Sequence, residues 1–207
     1  VMHVASTIRG IAGVVVSLAI ASVVTAGSIV SWGGNGDYTP PPEGDDFVAV
    51  AAGDSHNLAL RSDGSIIGWG LGTEDLGRWP SYGQATAPDG NDFIAIAAGA
   101  YHSLGLRSDG SVVGWGCDYV GAPPEGSDFT AVAAGGEFVG FLAPPGTGAE
   151  PLLSLRALAL KWDGSIVGWA NGFGEATAPE GNDFVAIAAG GSHSLALRSD
   201  GSIVGWP

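Results

Sequence analysis

The sequence predicts an all-β protein of the β-propeller class, assembled from repeats of about 37 residues. Three observations lead to this prediction: a strand-like motif that recurs four times, a hairpin-like motif that recurs with it, and an unusual composition. The 207 residues include 36 glycines, and only 14% of them are charged. Because glycine weakens helix interiors, this composition favours short buried strands joined by glycine turns.

The first motif, Asp-Phe followed by small and β-branched residues, predicts the innermost strand of each unit. It reads DFVAVAAG at residues 46–53 and recurs with small changes at 92–99, 128–135 and 183–190. The strand carries no charged side chain after its aspartate, so both of its faces should be buried. Its alternation of β-branched residues with alanine suits a strand crowded where several sheets converge.

The second motif predicts a β-hairpin that completes each unit. DGSIIGWG at residues 63–70 recurs at 109–116, 163–170 and 200–207, and a partial copy lies at 27–33. Each Asp-Gly pair is predicted to form a two-residue turn, because glycine adopts the positive φ that such a turn needs. These turn residues are Asp63, Gly64, Asp109, Gly110, Asp163, Gly164, Asp200 and Gly201.

The tryptophans that end the hairpins set the period and divide the chain. Their spacings are 37, 46, 54 and 37 residues, so two units carry insertions, and we expect these side chains to pack between blades: Trp32, Trp69, Trp115, Trp169 and Trp206. The units then span residues 27–46, 47–92, 93–128, 129–183 and 184–207. The segments GQAT at 83–86 and GEAT at 174–177 are candidates for a further outer strand. A β-solenoid is the alternative, although its rungs are usually shorter and lack the repeated hairpin turn.

The pattern Gly-x-x-His-Ser-x-Ala-Leu, followed by Asp-Gly and Val-x-x-Trp-Gly, resembles the repeat of the regulator of chromosome condensation family over residues 27–207. The resemblance implies a propeller of the seven-bladed type, and the short period is most similar to bacterial members such as β-lactamase inhibitor protein II. Because four units and a fragment are too few for that ring, we expect an open arc of four to five blades, a truncated reading frame, or a chain that closes by self-association. The family hosts nucleotide exchange, protein inhibition and light sensing, so the resemblance implies no single function.

A histidine, a serine and an aspartate recur together in three units and invite comparison with a hydrolytic triad. The histidines are His56, His102 and His193, each followed by the serine and aspartate of the hairpin turn. An enzyme needs one unique set, whereas a structural motif recurs in every blade. The aspartate also serves the turn, and the intervening strand places the histidine about 15 Å away. We therefore predict structural roles, with no catalytic residue, cofactor or metal site.

Acidic turns precede each innermost strand and should lie together on one rim. PEGDDF at residues 42–47 recurs in related form at 88–93, 124–129 and 179–184, and these turns hold nine of the 21 carboxylates. Calcium prefers such ligands, but no turn matches an EF-hand or another known calcium loop, so solvated turns are predicted. The net charge of −14 argues against nucleic acid as a partner, because a nucleic-acid groove needs clustered basic residues.

The N-terminal 26 residues have two interpretations. An uncharged apolar run at residues 11–26 follows Arg9 and is typical of a secretory signal peptide, which predicts a secreted or cell-surface protein. Its 16 residues are fewer than the ~20 that a membrane span requires. Alternatively, residues 11–20 align with 51–60 as a degenerate repeat, which would leave the protein cytoplasmic. Cys117 is the only cysteine, so no intrachain disulfide is possible.

The breaks in the repeat are the candidate partner-binding segments, because loops on a rigid scaffold usually carry specificity. The longer connection after Trp69 adds Arg78, Trp79 and Tyr82, and the insertion at residues 136–156 adds Phe138 and Phe141. Exposed aromatic and arginine side chains are typical interface anchors, although a tolerated insertion or sequence drift would leave the same pattern.

The sequence thus predicts a non-enzymatic scaffold that binds an unidentified protein through loops of successive blades. Two alternatives stay open: a propeller enzyme, such as a lyase or glycosidase, with a site in the central channel, and a surface adhesin that binds carbohydrate through the loop aromatics. The open ends of the blade array also predict self-association.

Overall fold

The structure is a computed structural model that describes residues 2–5, 27–32, 39–78, 80–141, 151–169 and 177–207. The first described strand, β1 (Met2–Ala5), pairs in parallel with β2 (Ile29–Trp32). The predicted signal peptide or degenerate repeat lies mostly outside the described residues, and the predicted unit boundaries stay a prediction.

Four three-stranded antiparallel sheets follow in chain order, and we call them blades 1 to 4. Blade 1 contains β3 (Phe47–Ala52), β4 (His56–Arg61) and β5 (Ile66–Gly70). A small hairpin of β6 (Asp75–Arg78) and β7 (Ser81–Tyr82) then leads to blade 2, which contains β8 (Phe93–Ala98), β9 (His102–Arg107) and β10 (Val112–Gly116). A short 3-10 helix (Asp118–Val120) connects blade 2 to blade 3.

Blade 3 contains β11 (Phe129–Phe141), β12 (Pro151–Lys161) and β13 (Ile166–Trp169), and blade 4 contains β14 (Phe184–Ala189), β15 (Ser194–Arg198) and β16 (Ile203–Trp206). In every blade the strand order is the chain order, with the middle strand hydrogen-bonded to both neighbours. The prediction of an all-β repeat protein made of propeller blades is confirmed.

Each hairpin turn differs in one detail from the sequence prediction. The N–H of Gly64 donates to the carbonyl of Arg61 at 3.0 Å, and the N–H of Arg61 donates to the carbonyl of Ser65 at 2.9 Å. Three residues therefore lie in the loop, not two, and Gly64 with φ of +85° supplies the bulge that follows the turn. The Asp63 carboxylate accepts from both the hydroxyl (2.7 Å) and the N–H (2.9 Å) of Ser65, which lowers its pKa.

Successive blades pack through two unlike faces, which the repeat reproduces in each blade. The leucine face of blade 1 consists of Ala49, Ala51, Leu58, Leu60 and Ile66. It packs against the phenylalanine face of blade 2, which consists of Phe93, Ile96, Ala98, Val113 and Trp115. Equivalent residues join blade 2 to blade 3 and blade 3 to blade 4, so the tryptophans of these blades lie between sheets. The blades therefore form a partial propeller stacked in chain order.

The innermost strand is less buried than predicted at one position. In blade 2, Phe93 and Ala95 pair with the consecutive residues Arg107 and Leu106, so Ile94 is the extra residue of a β-bulge. The bulge leaves Ile94 exposed, and Val185 is exposed at the equivalent bulge of blade 4. The expectation that both strand faces are fully buried was wrong here, because the bulge removes this residue from the regular alternation.

The predicted outer strand at residues 83–86 is a turn in the structure, so that prediction was wrong. This segment lies against β5 without forming a ladder: a Cβ on Gly68 would come within 2.1 Å of the Ala85 carbonyl oxygen. Of the second candidate, residues 174–176 lie outside the described residues.

Candidate functional site

The two rims of the blade array differ in character. One rim carries the hairpin turns and the turns before each innermost strand, joined by bonds such as Phe93 N–H to the Gly64 carbonyl at 3.1 Å. We call it the acidic rim, because it holds thirteen of the 21 carboxylates: Glu43, Asp45, Asp46, Asp63, Asp89, Asp92, Asp109, Glu125, Asp128, Asp163, Glu180, Asp183 and Asp200.

The acidic rim is regular because one ion pair recurs in each blade. In blade 2 the Arg107 guanidinium lies 2.6 Å from the Asp92 carboxylate and 4.6 Å from the centre of the Phe93 ring. The other three blades repeat the arrangement with these ion pairs: Arg61 and Asp46, Lys161 and Asp128, Arg198 and Asp183. All of these groups are partly exposed, so each pair makes a small, salt-sensitive contribution to stability.

The opposite rim, where the first two strands of each blade are joined, is held together by backbone contacts at glycines. The N–H of Asp54 donates to the carbonyl of Gly99 at 3.3 Å, and that of Gly136 donates to the carbonyl of Gly190 at 3.0 Å. This rim also carries residues 71–84, residues 117–121 and an extension of blade 3. We call it the irregular rim, since every described break in the repeat lies on it.

In blade 1 the recurring histidine contacts blade 2 and does not meet the serine and aspartate of its own repeat. His56 Nε2 lies 2.8 Å from Ser103 Oγ, and Ser103 Oγ donates to the Gln84 carbonyl at 2.8 Å. Because the serine proton is engaged there, His56 donates from Nε2. The same carbonyl accepts from Trp115 Nε1 at 3.0 Å. The Asp63 turn lies at the other end of β4, so the apparent triad does not assemble.

The buried histidines are uncharged at neutral pH. Burial, with a smaller contribution from the nearby His102, lowers the pKa of His56 to about 3. Burial also lowers the pKa of His102 to about 4, although the backbone of Arg156 partly offsets this. Both rings lie against glycine: a Cβ on Gly99 would lie 2.5 Å from Cε1 of His102. The spacing Gly-x-x-His therefore reflects packing, not chemistry on a substrate.

Blade 3 departs from the repeat at the histidine position, where Arg156 is paired with Gly135. Its Nη1 donates to the carbonyl of Gly191 at 2.6 Å and to Ser154 Oγ at 3.2 Å, so it joins blade 3 to blade 4. Burial lowers the pKa of this guanidinium, and the nearby Glu137 carboxylate offsets only part of that shift. Aligning the repeats would have identified Arg156 from the sequence, since this arginine stands where each of the other blades has a histidine.

The insertion of blade 3 is a continuation of two strands. Beyond the six-residue length of the other innermost strands, β11 and β12 stay paired up to Phe141 and Pro151. We call residues 135–141 with 151–156 the blade-3 arm; residues 142–150 lie outside the described part of the chain. Six residue pairs join the two strands within the arm, and a β-bulge lies between Phe138 and Gly140. The interpretation of this insertion as sequence drift stays a prediction.

The arm is fastened to blade 2 by an apolar cluster. Leu153 and Leu155 are buried against Tyr101 and Val120, in a core that also contains Cys117. Tyr82 packs on the same core, with its ring centre 6.3 Å from that of Tyr101 in an edge-to-face arrangement. Segments from blades 1, 2 and 3 thus meet on the irregular rim. Apart from Tyr82, sequence reasoning missed these residues, because apolar side chains gave no signal of their shared location.

The predicted partner-binding residues lie in different surroundings. Tyr82 is half-buried in the cluster, whereas Phe138 is 37% exposed and its neighbour Val139 is 57% exposed on the arm. Trp79 and the side chains of Arg78 and Phe141 lie outside the described residues. Their predicted role stays a prediction.

A cleft of about 270 Å³ lies between β10 and residues 117–123. Its lining includes His102, Ser103, Trp115, Cys117, Asp118 and Pro123. This volume is below the roughly 300–1,000 Å³ of typical ligand sites. Among the described residues, no group of three or more histidines, cysteines, aspartates or glutamates is placed to hold a metal ion, and no helix is long and apolar enough to cross a membrane.

Blades with alternating leucine and phenylalanine faces, a regular acidic rim and an irregular rim define a β-propeller repeat protein that presents loops from a rigid scaffold. The model of the regulator of chromosome condensation (RCC1) repeat matches residues 47–75, 93–122 and 184–206. Blades 1, 2 and 4 therefore match the RCC1 repeat, as the repeat pattern predicted, and they belong to a partial β-propeller. Blade 3 lies outside the matched segments. The likeness to short-period bacterial members stays a prediction.

Solved structures with a similar fold include plant and yeast proteins. The CRINKLY ectodomain of the Arabidopsis thaliana receptor kinase ACR4 is 29% identical, with a TM-score of 0.55 over 77% of this chain and 49% of its own. The ectodomain of the Physcomitrella patens receptor kinase CR4 is 21% identical, with a TM-score of 0.54 over 77% of this chain and 37% of its own.

Yeast RCC1 (Prp20), solved with Kap60, is 21% identical, with a TM-score of 0.53 over 82% of this chain and 45% of its own. The chain thus spans about half the length of these relatives or less. No curated protein sequence matches it.

Proposed function

We propose that the chain is a non-enzymatic scaffold that binds another protein through its irregular rim, with the blade-3 arm as the main contact. The observation that carries this proposal is the convergence of repeat breaks from three blades on one rim. The exposed pair Phe138 and Val139 lies beside that convergence.

The physical support is that the arm is already ordered by its own packing. Leu153 and Leu155 are buried on one side of it, so a partner that contacts Phe138 would not have to order a flexible loop. An exposed aromatic next to an exposed β-branched residue is also the kind of pair that anchors protein interfaces. Yeast RCC1 (Prp20), a solved structure of similar fold, is bound to another protein, Kap60, which supports this reading.

We further propose a secreted or cell-surface location. The signal-like run at residues 11–26 supports export, and so does the likeness to two receptor-kinase ectodomains.

The test is affinity capture with the immobilised full chain, quantified by mass spectrometry, followed by titration of the purified captured protein. The variant Phe138→Ala/Val139→Asp should lower the affinity for the captured partner by about tenfold or more, because it removes the apolar pair and adds a charge at the contact. Both positions are exposed, so the variant should keep the circular dichroism spectrum and melting temperature of the parent.

The matched control is Trp162→Ala on the same blade. Trp162 is 75% exposed and belongs to the hairpin turn on the acidic rim. Capture should survive this change. Loss of the partner on Trp162→Ala, together with retention on the arm variant, would place binding on the acidic rim and contradict the proposal.

A further inference from the structure

The cleft beside β10 has the size of a site for one side chain of another protein. Its volume of about 270 Å³ is smaller than that of a typical small-molecule site, and one of its walls is the outer strand of blade 2. The other wall is residues 117–123, of which Cys117 and Val120 also belong to the apolar cluster that fastens the blade-3 arm. The cleft therefore adjoins the irregular rim, next to the proposed contact with a partner.

The equivalent space in blade 1 is closed by the chain itself. In blade 1 a Cβ on Gly68 of β5 would collide with the carbonyl oxygen of Ala85. In blade 2 a Cβ on the equivalent residue, Gly114 of β10, would first meet the side chain of Pro123, at 3.0 Å. The connecting segment thus lies with its backbone against β5, but a proline side chain holds it away from β10. The wider spacing leaves room for the cleft in blade 2.

Two side chains on the lining of the cleft suit a planar cation. The Asp118 carboxylate is exposed, and among the described residues no arginine or lysine forms an ion pair with it. The indole of Trp115 is held in place by its hydrogen bond to the Gln84 carbonyl. A guanidinium group can bond to a carboxylate through two N–H groups and can also stack on an indole. His102 lines the cleft as well, yet it does not repel a cation, because burial lowers its pKa to about 4 and keeps it neutral.

The backbone of β10 adds a hydrogen-bond acceptor. At one end of the ladder between β9 and β10, the N–H of Cys117 donates to the Tyr101 carbonyl at 2.8 Å. At the other end, the N–H of Arg107 donates to the Ser111 carbonyl at 2.9 Å. Since hydrogen-bonded and non-bonded pairs alternate along an antiparallel ladder, Gly114 directs its carbonyl away from β9 and toward the cleft.

We propose that this cleft binds a guanidinium group, supplied by an arginine side chain of the protein that the irregular rim binds. The guanidinium donates to the Asp118 carboxylate and to the Gly114 carbonyl, and its plane stacks on the Trp115 indole. The origin of that arginine rests on the proposed function, whereas the site itself depends only on these three residues. The arm then supplies an apolar contact and the cleft an ionic one, which together orient the partner.

Ethylguanidinium chloride, which ends like an arginine side chain, is the probe for the cleft. NMR of the full chain follows the indole N–H of Trp115 and the amide N–H of Gly114 during a titration at constant ionic strength. We expect both signals to shift with a dissociation constant of about 1–10 mM, as suits so small a ligand. Ethylurea has a similar shape without the charge and should bind at least about tenfold more weakly.

A matched pair of substitutions tests the role of the carboxylate. Asp118→Asn should weaken the binding of ethylguanidinium at least about tenfold, because it removes the charge that the cation contacts. Asp89→Asn makes the same change at an exposed carboxylate of the acidic rim and should leave the binding unchanged. Both positions are exposed, so both variants should keep the melting temperature of the parent.

Unshifted signals at ethylguanidinium concentrations up to about 50 mM, equal binding of ethylurea, or equal effects of the two substitutions each overturns the site. The titration contains no partner protein, so such a result leaves partner binding at the blade-3 arm to its own test. With the captured partner, Asp118→Asn should lower the affinity about tenfold. An unchanged affinity there overturns the assignment of the cleft to an arginine of that protein.

Discussion

Lowering the pH from about 6.5 to about 5 should destabilise the fold through His56 and His102. Both rings are buried, and burial lowers their pKa values to about 3 and about 4. In the unfolded chain a histidine titrates near pH 6.5, so between about pH 6.5 and pH 5 the unfolded state binds protons that the folded state does not bind. The stabilising effect is therefore complete above about pH 6.5 and is lost as the pH falls toward the folded pKa values.

The magnitude follows from the size of the pH interval. Each histidine that stays neutral in the folded state, while it is protonated in the unfolded state, lowers the free energy of unfolding by about 1.4 kcal/mol per unit of falling pH. Over about 1.5 units the two residues together remove about 4 kcal/mol, a large part of the ~5–15 kcal/mol that stabilises a typical domain. Asp63 and its equivalents have lowered pKa values, so their stabilising effect is lost only below the ordinary carboxylate range.

Urea unfolding at pH 7 and pH 5 measures the effect, with about 0.5 M NaCl to screen the carboxylates of the acidic rim. The midpoint should fall clearly between the two pH values. The double variant His56→Gln/His102→Gln, which cannot be protonated, should be less stable at pH 7 but nearly independent of pH over this interval. Equal midpoints for the parent at both pH values, or the same fall in the double variant, would refute the reasoning.

Two further predictions concern the acidic rim, and urea unfolding checks both. Gly64 and Gly201 have φ values of +85° and +87°, but only at Gly64 would a Cβ meet a neighbour, the Asn91 carbonyl oxygen at 2.3 Å. Gly64→Ala should therefore lower the free energy of unfolding by about 3 kcal/mol, and Gly201→Ala by about 1 kcal/mol. Equal losses would show that the contact with the next blade does not add to the effect of the substitution at this turn. Arg107→Met should cost about 1 kcal/mol, and about half of that should vanish in 0.5 M NaCl, because the guanidinium is partly exposed. A salt-independent cost would assign the effect to packing on the Phe93 ring instead of the ion pair.

The blade itself could be predicted from the sequence because its causes are local and repeated. The innermost strand, the hairpin and the turn at Gly64 each follow from alternation and from the conformational freedom of glycine. The recurrence of His56 and its equivalents was enough to favour a structural role, since repetition argues against a unique active site. The one-residue errors, at the hairpin loop and at the bulge of Ile94, concern backbone geometry that residue types alone specify poorly.

The irregular parts could not be located in this way. Tyr82 and Leu153 lie 71 positions apart in the chain, and only the stacking of three blades brings them into one cluster. The blade-3 arm likewise looked like an interruption in the sequence, because the repeat pattern does not indicate that residues 135–141 pair with residues 151–156.

The sequence by itself determined the blade, its period and its two unlike faces, because alternating side chains and glycine turns act within one repeat. The tertiary structure alone decided which rim gathers the irregular segments and which apolar face stays exposed. Those properties depend on contacts between repeats. The exposure of Leu197 beside the burial of its equivalents Leu60, Leu106 and Leu160 shows that nearly identical local sequence can have opposite surroundings.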